Sequence, residues 1–163
     1  MHKQSFSNAT LETQVDVVET ALDAGEKVII TGKLATGKTK LLMSLKKRFN
    51  ENTNKKAVYF TMNSNEVEND KSKEEFKLYG QYTDKILLID ELGSLTSCGF
   101  TLDLIHPETP IVAAIQTSSS ENLNKLMEKL KLDNYFNKII FLKEFDGDFD
   151  IFTVERDSRK VSQ

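Results

Sequence analysis

Cysteine occurs once in this 163-residue chain, at Cys98, which rules out an intrachain disulfide and a Cys-based zinc site. Histidine occurs twice, at His2 and His106, too few and too scattered for a His-rich metal centre. Pro107 and Pro110 are the only prolines, and no internal repeat or Pro- or Gly-rich linker interrupts the chain. Arginine is scarce: of 22 Lys plus Arg, only Arg48, Arg156 and Arg159 are arginine. Guanidinium is the usual bidentate partner of phosphate, so this shortage bears on any phosphoryl chemistry. No apolar run of 18 residues occurs, and the opening "MHKQSFSNATLETQ" has no signal-peptide core. A cytoplasmic protein without a membrane span is expected, and any attachment to a membrane complex would run through partners. A net charge of -3 and a pI near 5.5 give no global pull toward nucleic acid or anionic membrane. Any direct nucleic-acid contact would have to be local.

What remains is ordinary for a globular chain, 39% hydrophobic and 29% charged, and its length suits one domain spanning residues 1–163. Leu11, Val15, Val18 and Leu22 recur at helical spacing, with Gly25 where a helix stop is expected. "KVIIT" (27–31) reads as a buried strand, and "KTKLLMSLKKRFN" (38–50) as a helix with Leu41, Leu42, Leu45 and Phe49 on one side. "AVYFTM" (57–62), "KILLID" (85–90) and "PIVAAIQT" (110–117) read as further strands, with a helix near 73–79 and a short one ended by Pro107. A serine at 118–120 caps a helix whose buried side is Leu123, Leu126, Met127 and Leu130. "KIIFLKEF" and "FDIFTVE", joined by a tight turn, form a terminal hairpin. Alternating strands and helices predict an α/β fold, its central sheet parallel except at that hairpin.

The chemistry sits in "KVIITGKLATGKTKLL". Gly32, Lys33, Leu34, Ala35, Thr36, Gly37, Lys38 and Thr39 complete the pattern G-x-x-x-x-G-K-[ST], with Lys40 following. Chance produces such a match in on the order of one chain in a few hundred of this length, given average composition. Context removes that reading, because the motif leaves a strand and opens a helix. Backbone N–H groups of such a loop curl around phosphates, and the helix N-terminus adds positive potential. Lys38 is expected to bridge the β- and γ-oxygens of ATP, and the Thr39 hydroxyl to ligate Mg²⁺. About 50 residues after that loop, "KILLIDEL" ends its strand in Asp90-Glu91, the Walker B pattern, strong evidence at that place though weak alone. Asp90 is the expected second magnesium holder and Glu91 the general base. Gln116, at the tip of "PIVAAIQT", is placed to sense the γ-phosphate, with Thr117 as an alternative. Cys98, His106 and the Phe-rich tail (Phe136, Phe141, Phe145, Phe149, Phe152) read as packing or loop residues.

In the order of these motifs, from about Leu11 to Glu155, the chain resembles the ATPase domain of type II and type IV secretion and conjugation ATPases, hexameric motors of pili and DNA-transfer machines. The resemblance implies a P-loop NTPase fold of the RecA/AAA type, Mg-ATP hydrolysis and self-association. Asn63 and Glu66 stand nearest that family's acidic box, Asp90-Glu91-Leu92-Gly93 in its Walker B, and Gln116 where it has a histidine. Departures accompany the matches: Ala35 replaces an inner loop glycine, the family's arginines are missing from both regions, and no counterpart of its large N-terminal domain is expected within these residues. An arginine or lysine from a neighbouring subunit would then complete the site, Arg156 being the best candidate. Three readings stay open: an oligomeric motor or regulator of a secretion or conjugation system, an AAA+-like helicase loader or replication accessory ATPase, and a weakly hydrolysing nucleotide-dependent adaptor.

Overall fold

The computed structural model describes residues 2–33, 36–52, 56–61, 74–92, 105–117, 119–130, 135–143 and 147–154. In chain order the elements are β1 (His2–Phe6), α1 (Leu11–Asp23), β2 (Val28–Gly32), α2 (Lys38–Asn52) and β3 (Lys56–Thr61). A helical segment over 74–79 follows, then β4 (Lys85–Asp90), β5 (Ile111–Gln116), α3 (Ser120–Leu130), β6 (Lys138–Leu142) and β7 (Phe149–Thr153).

The strands form one seven-stranded sheet in the order β1-β7-β6-β2-β5-β4-β3. From β6 to β3 every pairing is parallel. β7 is antiparallel to both neighbours, so it alone runs against the rest. β2, β4 and β5 are buried nearly throughout, which is why their sequences are unbroken apolar runs rather than alternating ones. Helices cover both faces. α1 and α2 pack on one side, burying Val15, Val18, Leu41, Leu42, Leu45 and Phe49 against Ile30, Leu88 and Ala114. On the other, Phe76, Ile105, Leu123 and Phe136 close over Ile29, Leu87, Ile89 and Ala113.

The predicted helices, strands and hairpin are present where described, with ends shifted by at most three residues. β1 is an addition. "HKQSF" has no apolar alternation, and His2 to Ser5 are exposed. What makes it a strand is pairing with β7 and the stacking of Phe6 on Phe149 at 4.6 Å. The short helix before Pro107, Cys98, Phe145 and the side chains of Leu126, Met127 and Leu130 lie outside the described residues. His106 is a turn residue: its Nδ1 accepts from the Glu108 N–H and its carbonyl from Thr109.

Candidate functional site

The sheet order sets the site. From β2 the chain travels to the far edge at β3, returns through β4 and β5, then crosses to β6 on the other side of β2. The reversal between β5 and β6 leaves a crevice at the carboxyl ends of the parallel strands, where α/β sheets bind ligands. β5 separates β2 from β4 and puts Gln116 in register with Gly32. On the outer side, Thr61 of β3 is in register with Asp90. Gly37, Lys38, Thr39, Lys40, Thr61, Asp90, Glu91 and Gln116 line the resulting cleft of about 410 Å³.

Gly32 opens the loop under a tight constraint. A Cβ there would stand 2.6 Å from Thr36 Oγ1 and 2.7 Å from the Leu142 carbonyl of β6. Thr36 closes the turn by donating to the Lys33 carbonyl at 2.9 Å. Gly37, with φ 98°, takes a conformation that favours glycine just before α2 begins. Leu34 and Ala35, between them, lie outside the described residues.

Lys38 is 8% exposed, and its ammonium donates to the carbonyls of Gly32 at 3.0 Å and Lys33 at 2.7 Å. Burial lowers its pKa, opposed by the charges of Glu91 and then Asp90. In the first turn of α2, the Thr39 hydroxyl donates to Asp90 Oδ2 at 3.0 Å. Glu91 is half-buried and holds φ at 58°, a left-handed conformation uncommon for a residue with a side chain. Such outliers persist where the surroundings impose them, often at functional sites. Burial, then the Asp90 charge, push the Glu91 carboxyl upward, while Lys38 pulls it down. Lys33 and Lys40 have exposed side chains.

Of the two residues considered at the tip of β5, Gln116 is exposed and lines the cleft. Thr117 is buried; its N–H donates to the Gly32 carbonyl and its hydroxyl to Ser119. It braces the loop from behind. Tyr59 is the residue that sequence reasoning missed. Its hydroxyl donates to Asp90 Oδ2 at 2.6 Å, and burial followed by the Asp90 interaction pushes its pKa up. A tyrosine inside an apolar strand reads as core packing, and nothing local distinguishes it.

Arg48 does not serve the cleft. It ties α2 to α1 through Asp16 and Glu19. Among the described residues no arginine lines the cleft; Arg156, like Asn63 and Glu66, lies outside them. A second cavity, of about 370 Å³, lies between α1 and the β1-β7-β6 edge and shares no residue with the first.

The donor set suits a triphosphate with a hard cation. Lys38 is a buried ammonium whose acceptors are backbone carbonyls a phosphate can replace. Thr39 and Asp90 bring a hydroxyl and a carboxylate oxygen to one point, ligands that magnesium prefers when phosphates and water complete its shell. Among the described residues no group of three or more His, Cys, Asp or Glu could hold a metal alone. A site of this kind uses the substrate as a ligand. With strand, loop, helix and acidic strand end in place around one cleft, the architecture is decided. The fold is that of a P-loop NTPase.

No protein-family model matches the chain, and no curated protein is significantly similar to it. Among solved structures, a DNA replication initiation factor overlaps 80% of the chain at 18% identity and a TM-score of 0.49. Flagellar accessory protein FlaH from Methanocaldococcus jannaschii overlaps 82% at 14% identity and 0.47. A Pif1 helicase, from a structure concerned with DNA unwinding at forked double-stranded DNA, overlaps 84% at 16% identity and 0.47. The chain spans 45% of the initiation factor, 79% of FlaH and 44% of the Pif1 chain. No described helix is long and apolar enough to cross a membrane.

Proposed function

We propose that this protein binds ATP with Mg²⁺ in the P-loop cleft and hydrolyses it, as an oligomeric motor or regulator of a secretion or conjugation system. The observation carrying the nucleotide reading is the convergence of Lys38, Thr39, Asp90, Glu91 and Gln116 from three strand ends on one cleft. Lys38 exchanges the Gly32 and Lys33 carbonyls for the β- and γ-phosphate oxygens of ATP. Thr39 and Asp90 hold Mg²⁺, which neutralises phosphate charge and orients the triphosphate when bound. Glu91 accepts the proton of the attacking water, a role served by a carboxyl that burial pushes above its ordinary value. Gln116 donates its amide to the γ-phosphate edge. The secretion subtype is supported by the motif order and the β6–β7 hairpin.

Arg48 is committed to α1, so an arginine for the transition-state charge comes either from Arg156 or Arg159 or from a partner. A neighbouring copy, in a ring of six for a motor, supplies that arginine under the oligomeric reading, whereas the adaptor reading needs none. Wild type and Glu91→Gln, compared for binding of a fluorescent ATP analogue and for phosphate release, test the proposal. Glu91→Gln should keep binding and lose turnover by about a hundredfold or more. Absence of turnover in wild type at high protein concentration leaves the adaptor. A strict monomer by light scattering, with and without ATP analogue, removes the motor.

A further inference from the structure

β3 carries Tyr59 to the back of the cleft. Its ring packs with the α1 and α2 core, and the Lys46 ammonium of α2 lies 5.9 Å from the ring centroid. Its hydroxyl reaches across to β4 and donates to Asp90 Oδ2 at 2.6 Å, the same oxygen that accepts from Thr39 at 3.0 Å. One carboxylate oxygen thus joins two hydroxyls, one from the first turn of α2 and one from the neighbouring strand. Asp90 is itself only 8% exposed, so water has little access to replace either partner.

We propose that Tyr59 is a positioning residue for the divalent cation, holding the Asp90 carboxylate beside the Thr39 hydroxyl before metal and nucleotide arrive. The inference rests on the Mg-ATP reading of the cleft. A carboxylate on a short side chain can rotate about its last torsion, and fixing it only when the cation binds would weaken binding by the freedom lost. Tyr59 removes that freedom in advance. Its ring is partly buried against the core beneath α2, so the hydroxyl approaches Asp90 from a packed origin. Groups that orient metal ligands in this way typically contribute about ten- to a hundredfold to metal affinity. The position is open to this use because Tyr59 and Asp90 lie on the same face of paired parallel strands, Tyr59 opposite Leu88 and Asp90 two residues further on.

Tyr59→Phe keeps the ring and deletes the hydroxyl. Binding of a fluorescent ATP analogue to the full chain is titrated with Mg²⁺ and repeated in EDTA. The half-saturating Mg²⁺ concentration should rise by roughly tenfold or more, while affinity in EDTA stays as in wild type. A second pair keeps the test specific: Tyr59→Phe should change the Mg²⁺ midpoint no further when placed on Asp90→Asn. An unchanged or lowered midpoint overturns the proposal. So does an equal weakening with and without Mg²⁺, which marks a packing role. Wild type that binds no analogue under either condition overturns the nucleotide reading and this inference with it, an outcome distinct from a failure of Tyr59 alone.

Discussion

Gly32 shows how a single residue joins the loop to the sheet. The Cβ that alanine would add meets a hydroxyl at Thr36, which can rotate away, and the backbone carbonyl of Leu142, which cannot. Gly32→Ala is therefore expected to force β2 from β6 and lower stability by about 1–3 kcal/mol, read by chemical denaturation, and to weaken ATP-analogue binding in the same protein. At this scale much of the site was legible. Lys38, Thr39, Asp90 and Glu91 are residue types that phosphate and magnesium chemistry demand, at spacings a strand-loop-helix unit fixes. Gln116 and Thr117 were indistinguishable in sequence, since two adjacent polar residues at a strand end differ only in which side of the sheet they face. Tyr59 was invisible for a related reason: its role depends on β3 lying next to β4, a non-local fact.

Helix α1 was readable because its signals are local. Thr10 caps the N-terminus by accepting from the Thr13 N–H at 3.1 Å. Gly25, at φ 77°, closes the other end, its N–H bonding Leu22 while that of Glu26 bonds Ala21. Thr10→Ala is expected to destabilise the protein by about 1 kcal/mol, measured as a shift in denaturant midpoint at constant slope. Because α1 packs over the sheet away from the cleft, analogue binding should remain. α3 follows the same logic, with Ser119 accepting from the Asn122 N–H at 3.2 Å. β1 had no such local signal. Four of its five residues are exposed, and an exposed strand need not alternate.

For the molecule as a whole, the sheet order separates stability from chemistry. β7 and β1 extend the sheet two strands beyond β6, away from the cleft. Phe6→Ala, which removes the stack on Phe149, should lower stability by about 2 kcal/mol in chemical denaturation and leave ATP-analogue affinity unchanged. A matching loss of affinity would show that the outer strands shape the cleft. The arginine shortage acts at this scale too, since Arg48 is consumed in joining α1 to α2 and does not line the cleft.

The sequence by itself determined the α/β class, the glycine-bracketed loop between strand and helix, the acidic strand end, the Gly25 stop of α1 and the serine cap of α3. Each is written in residues close together along the chain, where backbone geometry converts spacing into position. Only the tertiary structure decided that β5 stands between the loop strand and the acidic strand, and that Gln116 rather than Thr117 faces the cleft. It also decided that Tyr59 holds Asp90, and that an unpatterned N-terminal segment becomes an edge strand. Those outcomes depend on which strands become neighbours, and neighbours in a sheet are chosen by burial of whole faces rather than by any short run of residues.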